Sequence, residues 1–204
     1  MFRFFCFACV FALSITSAWA QERYFDLSLC SSDAATDLLE IQATGAKVTK
    51  PAQLGFNSAR VIVEGYRFSD EHNIDMRLTF YKGRLMEIYI PIFDPHWHRR
   101  LFMGGFAYFL SNALVHKYRG ATAVGYHNKG GVDVRQWLVA DGAVLISHQL
   151  NQYANSGRED RDRVEYFTYT CQELVAARSE EMSQERRQQE IQRERRIRDA
   201  AGKI

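Results

Sequence analysis

Asp94, His96 and His98 bring three residues with metal-ligand chemistry close together. A carboxylate and two imidazole nitrogens suit zinc or copper, and would make the chain a metal-dependent enzyme or a metal-binding protein. The spacing argues against this. Histidines two positions apart point to different sides of a helix, and they converge only if the segment before Arg99 is extended. The competing assignment uses Asp94 to cap a helix whose first position is Pro95, leaves His96 in the exposed first turn and sends Trp97 to the core. On that balance no metal and no cofactor is expected.

The remaining titratable residues are less concentrated. Asp70, Glu71, His72 and Asp75 lack the spacing and central glycine of a calcium loop, and read as a solvated hairpin turn. Glu159, Asp160 and Asp162 alternate with Arg158, Arg161 and Arg163 as another solvated run. His116, His127 and His148 occur singly. The sequence contains no Gly-x-Ser-x-Gly elbow, no His-Glu-x-x-His, no phosphate loop and no dinucleotide fingerprint. Enzymatic activity is therefore not expected.

The start of the chain bears on where any chemistry takes place. Arg3 precedes an apolar run over residues 4–15, and Ala18 and Ala20 stand three and one positions before Gln21. This is the pattern of a secretory signal peptide over 1–20, and the run is short of the roughly 20 apolar residues a bilayer span needs. No lipid-bearing cysteine follows the signal and no Asn-x-Ser/Thr acceptor occurs, so a bacterial periplasm is the expected compartment, with release outside the cell as the alternative. Cys6 and Cys9 leave with the signal. Cys30 and Cys171 remain, and an oxidising compartment predicts a disulfide between them.

Lys and Arg total 26 against 24 Asp and Glu, which leaves no global footprint for nucleic acid. Fourteen Phe, ten Tyr and three Trp favour a packed core. Helix signals cover 34–44, where Ser31, Ser32 and Asp33 offer capping oxygens, Leu38, Leu39 and Ile41 cluster, and Gly45 stops the helix. Residues 59–68 read as a strand. The next two strands form a hairpin: Ile74, Met76, Leu78 and Phe80 alternate with polar residues, as do Met86, Ile88, Ile90 and Ile92. A three-residue loop Tyr81-Lys82-Gly83 would pair Leu78 with Met86, Met76 with Ile88 and Ile74 with Ile90, whereas a two-residue turn would set Leu78 against Glu87. Pro91, lacking a ladder donor, predicts a strand end or an edge.

A second helix is expected from Asp94-Pro95 to about Tyr118, with Phe102, Phe106, Phe109, Leu110, Ala113 and Leu114 on its apolar face. A glycine-rich link over 121–131 leads to strands at 132–139, 144–150 and 164–171. The order is helix-β-β-β-helix-β-β-β. It predicts an α+β fold of two layers, with a largely antiparallel sheet, over 21–171. Residues 172–204 switch to Glu, Arg and Gln and predict a charged helical tail without a coiled-coil heptad, docked through Leu174 and Val175. Arg193, Arg195, Arg196 and Arg198 make its end basic, a contact for an acidic partner or for anionic lipid headgroups. The function expected from these features is that of an exported, non-enzymatic module that binds another protein of the envelope.

Overall fold

The computed structural model describes residues 23–93, 104–117, 122–129, 132–151 and 164–201. Within them the α+β architecture is realised as one nine-stranded sheet in which every pairing is antiparallel. A small hairpin, β1 (Arg23–Tyr24) and β2 (Leu27–Ser28), leads into α1 (Ala34–Ala43). Then come β3 (Lys47–Val48), β4 (Ala52–Gly55), β5 (Ser58–Arg67), β6 (Asn73–Tyr81) and β7 (Arg84–Phe93). After α2 (Gly104–Lys117) follow β8 (Thr122–Lys129), β9 (Val132–Val139), β10 (Val144–Asn151) and β11 (Val164–Cys171), which runs directly into α3 (Gln172–Ala201). The spatial order is β3-β5-β6-β7-β11-β10-β9-β8, with β4 also on β5. Two meanders therefore meet where β7 pairs with β11.

The core lies on one face of this sheet. Its central row crosses six strands as Val61, Leu78, Ile88, Tyr169, Ile146 and Trp137, all buried. Ile41 of α1 and Phe106, Leu110 and Leu114 of α2 join the same buried cluster. Phe109 and Ala113, expected on the apolar face of α2, are exposed, so that face is narrower than its composition implies. Leu39 of α1 is likewise 68% exposed. No side chain caps α1 at Asp33. The carboxylate of Asp37 acts instead, accepting from the Ser28 amide at 2.6 Å and from Arg23 at 2.9 Å, and so ties the helix to the first hairpin.

The hairpin around Gly83 departs from the expected register. Tyr81 pairs with Arg84 across the two-residue turn Lys82-Gly83, both at positive φ, and Leu78 faces Ile88 rather than Met86. The reason is a β-bulge. Met86 is an extra residue between the pairs Phe80–Leu85 and Thr79–Glu87, and it shifts the alternation by one so that a two-residue turn keeps the apolar faces together. A second bulge separates the pairs Val63–Met76 and Tyr66–Ile74. Gly65 within it has φ +71, and its amide donates to Asp75 Oδ1 at 2.8 Å. Asp75 is thus a buried bulge acceptor and not part of a solvated turn.

Three further differences have physical causes. Residues 122–129, expected as a link, form β8, because pairing to β9 supplies a ladder that local glycine content does not forbid. β1 to β4 add short strands to the count, each held by a neighbour rather than by its own length. Pro91 neither ends its strand nor lies at a sheet edge. It pairs with Tyr166 at a register shift between Glu165 and Tyr166, a place where a missing donor is tolerated.

Cys30 and Cys171 are joined by a disulfide, with Cα atoms 5.5 Å apart and 141 positions between them in sequence. The backbone prepares this closure. Cys30 donates to the Leu85 carbonyl and Leu85 donates to Ser31, each at 2.9 Å, so this segment extends the ladder of β7 beside the end of β11. Closing so long a loop contributes at most about 5 kcal/mol in the chain-entropy model. Cys171→Ser is expected to lower the midpoint of thermal or denaturant unfolding accordingly, and an unchanged midpoint would show the bridge to be energetically idle. Gly83 meets no atom that a Cβ would strike, so Gly83→Ala should cost only backbone strain, about 1–2 kcal/mol by urea unfolding.

Candidate interaction surfaces

α3 is the most conspicuous element outside the core. It leaves β11 at Gln172, whose amide donates to Ala143 at 3.0 Å. Leu174 is buried in the common cluster, while Val175, expected to dock beside it, is 38% exposed. Docking extends further than those two residues. Glu173 pairs with Arg84 at 3.0 Å, and Arg84 in turn donates to the Cys30 carbonyl from Nε and Nη2 at 3.0 and 2.8 Å. Two turns on, the Glu181 carboxylate accepts from the Tyr81 hydroxyl, from Asn57 Nδ2 at 2.7 Å and from Lys82 Nζ at 3.3 Å. These partners sit on β7, β6 and the β4–β5 turn in that order, so the helix crosses the end of the sheet strand by strand.

The Tyr81 hydroxyl, ahead of Lys82 and Asn57, holds the Glu181 carboxyl below its ordinary range. A depressed carboxyl stabilises its contacts above the unfolded-state value, and that contribution is lost as pH falls through the lower folded-state value. Beyond Met182 every residue through 201 is exposed. Arg193, Arg195, Arg196 and Arg198 all lie in this outer stretch. Helix 3 as a whole, at about 1.5 Å per residue, is about 45 Å long.

The sheet face opposite the core is the other candidate. Here the row Ile62, Arg77, Tyr89, Thr168, Ser147 and Gln136 crosses the same six strands. The Arg77 guanidinium lies 4.0 Å from the Tyr89 ring centroid, and Tyr89 packs on Tyr166 at 4.9 Å. Burial, then the charge of Glu87, pushes the Tyr166 phenol upward, opposed by Arg77. Sequence reasoning did not find this row, because Arg77 and Tyr89 looked like ordinary outward members of alternating strands.

Asp94, His96 and His98 lie outside the described residues, as do Arg158–Arg163 and their acidic neighbours. Among the described residues no group of three His, Cys, Asp or Glu is placed to hold a metal. His148 has a partner instead, with Nε2 2.9 Å from Glu165 Oε1 and its ring stacked on Phe167 at 4.2 Å. His116 is exposed. Comparison with protein-family models, curated proteins and solved structures gives no match to this chain.

Glu181→Gln removes the charge while keeping the shape of the α3 anchor. We expect amides of residues 175–182 to exchange faster with deuterium while those of β6 and β7 are unaffected. Equal protection in both proteins would show that Leu174 alone holds the helix.

Proposed function

We propose that this chain is an exported, non-enzymatic binding module of the bacterial envelope that presents the outer part of α3 to a partner protein. One observation carries the reading. The helix is fastened to the domain as far as Glu181 and Met182, and from 183 onward it offers only exposed side chains. A helix that is polar apart from the exposed Ile191 and Ile197 gains little from its own fold, so its retention on a rigid base is what a contact arm requires. Six arginines against four acidic residues over 183–201 give this arm a positive balance, which favours an acidic partner surface. The signal-peptide pattern at residues 1–20 and the paired Cys30 and Cys171 support export.

The anchor sets where the arm should be cut. A chain ending at Met182 keeps Leu174 and Glu181, whereas one ending near Ala177 would also lose the contacts of Glu181 with Tyr81, Asn57 and Lys82. In crosslinking from intact envelopes, a defined protein is expected with the full chain and not with the form ending at Met182. Its recovery should fall as salt rises. Capture that survives the truncation would move the contact to the domain and overturn the assignment to the arm.

A further inference from the structure

Both cysteines of the Cys30–Cys171 bridge line an open groove of about 590 Å3, bounded by Leu29, the turn Ala140–Ala143, Gln172 and Glu173. The two halves of the bridge differ in access. Cys30 is only partly buried, whereas Cys171 is fully enclosed, so a thiolate that enters the groove meets the bridge from the Cys30 side. The leaving side is equally defined. Cys171 ends β11 and immediately precedes Gln172, the first residue of α3. A helix N-terminus favours negative charge, and a thiol whose anion is stabilised leaves faster in disulfide exchange. Attack on Cys30 therefore releases Cys171 as a thiolate where the helix can best hold one.

Cys30 also stands in a conformation that it would leave if released. Its φ of +68 lies in the left-handed region, which is unfavourable for a residue with a Cβ. The bridge holds it there, together with the bond of its amide to the Leu85 carbonyl at 2.9 Å and the two bonds that its carbonyl accepts from Arg84. Arg84 Nη1 in turn pairs with Glu173 at 3.0 Å. One guanidinium thus passes the position of Cys30 to the first turn of α3, while Cys171 fixes that turn through the chain itself. The six pairs that join β7 to β11 lie outside this linkage, so the sheet keeps its seam when the bridge opens.

We infer that the groove is a docking site for a dithiol oxidoreductase, and that the bridge it exposes is a reducible latch on the base of α3. A thiolate of the oxidoreductase attacks Cys30 Sγ, the bond between the two sulfurs breaks, and Cys171 leaves as a thiolate that takes a proton from water. The second thiol of the oxidoreductase, as its thiolate, then attacks the mixed disulfide and frees Cys30. Two electrons pass to the bridge, and the oxidoreductase is left as a disulfide. Cys30 then relaxes, Arg84 loses a fixed acceptor, and the first turns of α3 loosen while the sheet stays paired. A consequence for partner capture rests on the contact-arm reading of α3; the exchange reaction does not.

Trapping tests the route of attack without altering this chain. The oxidised, folded protein is mixed with a thioredoxin whose second active-site cysteine is replaced by serine, and the mixed disulfide is located by peptide mass spectrometry. Attachment at Cys30 is expected. Reduction by unmodified thioredoxin, followed by maleimide labelling, should run at least about tenfold faster than global unfolding as reported by deuterium exchange of β6 and β7. Ala143→Trp, at an exposed position of the groove wall, should slow reduction about tenfold and leave the unfolding midpoint unchanged. In the reduced protein, amides of 28–31 and 172–182 should exchange faster and those of β6 and β7 should not. None of these measurements needs the partner of α3, so they stay readable if truncation at Met182 leaves capture unaffected. Attachment at Cys171, reduction no faster than global unfolding, equal reduction rates with and without Ala143→Trp, or unchanged exchange over 172–182 would each overturn the inference.

Discussion

The pairing of β7 with β11 is the constraint on which the other features rest. Six residue pairs, from Thr170 with Glu87 to Glu165 with Phe93, hold two meanders in one sheet. Without them the core row would be cut between Ile88 and Tyr169, and neither half would bury its apolar side chains on both flanks. The pairing is also remote in sequence, so its loop-closure entropy is large and must be offset by packing. The disulfide and the backbone bonds of Leu85 act at one end of this seam, where β11 stops and Cys30 takes its place beside β7. Because β11 continues without a break into Gln172, the same seam sets the point from which α3 departs.

Bulges decide which side chains reach which face. Antiparallel strands alternate with a period of two, so a single extra residue exchanges inside for outside beyond it. Met86 does this in β7 and the Glu64-Gly65 pair does it in β5. The first lets a tight turn coexist with a continuous apolar face. The second brings the Gly65 amide onto the buried carboxylate of Asp75, at 2.8 Å. Phe25 shows a related economy. Its positive φ is unusual for a bulky residue, and its ring is held by Phe68 at 5.7 Å and Tyr169 at 5.1 Å.

These features mark the boundary of what could be read from the sequence. The α+β class, both core helices, the long central strands and the cysteine pair were legible, because periodicity and composition are local or nearly so. The hairpin register was not, since a bulge leaves no trace in a pattern that a three-residue loop explains equally well. β8 was obscured by Gly125 and by weak alternation, and it forms because β9 provides an edge. The anchoring of α3 through Glu181 joins residues a hundred positions apart, and nothing near Glu181 singles it out among the other glutamates. The stacked arginine face was hidden for the same reason. Arg77, Tyr89 and Tyr166 meet only after three strands are aligned.

The two surfaces differ in how their order is maintained. An isolated helix as polar as residues 183–201 faces a nucleation cost that its few side-chain bonds, such as Gln184 to Glu180 at 3.1 Å and Gln189 to Glu185 at 3.3 Å, do not meet alone. The docked turns from Gln172 to Met182 remove that cost, since the outer residues need only propagate a helix already begun. A helix ordered before contact loses less conformational freedom on binding than a disordered tail would. On the sheet, order comes from stacking rather than propagation: the Tyr89 ring, packed against Tyr166, restrains Arg77 on a surface that strand pairing has already fixed. In both places the domain prepays the positioning of flexible, charged side chains. The energetic role of the core therefore extends past its own stability to surfaces that contribute almost nothing to it.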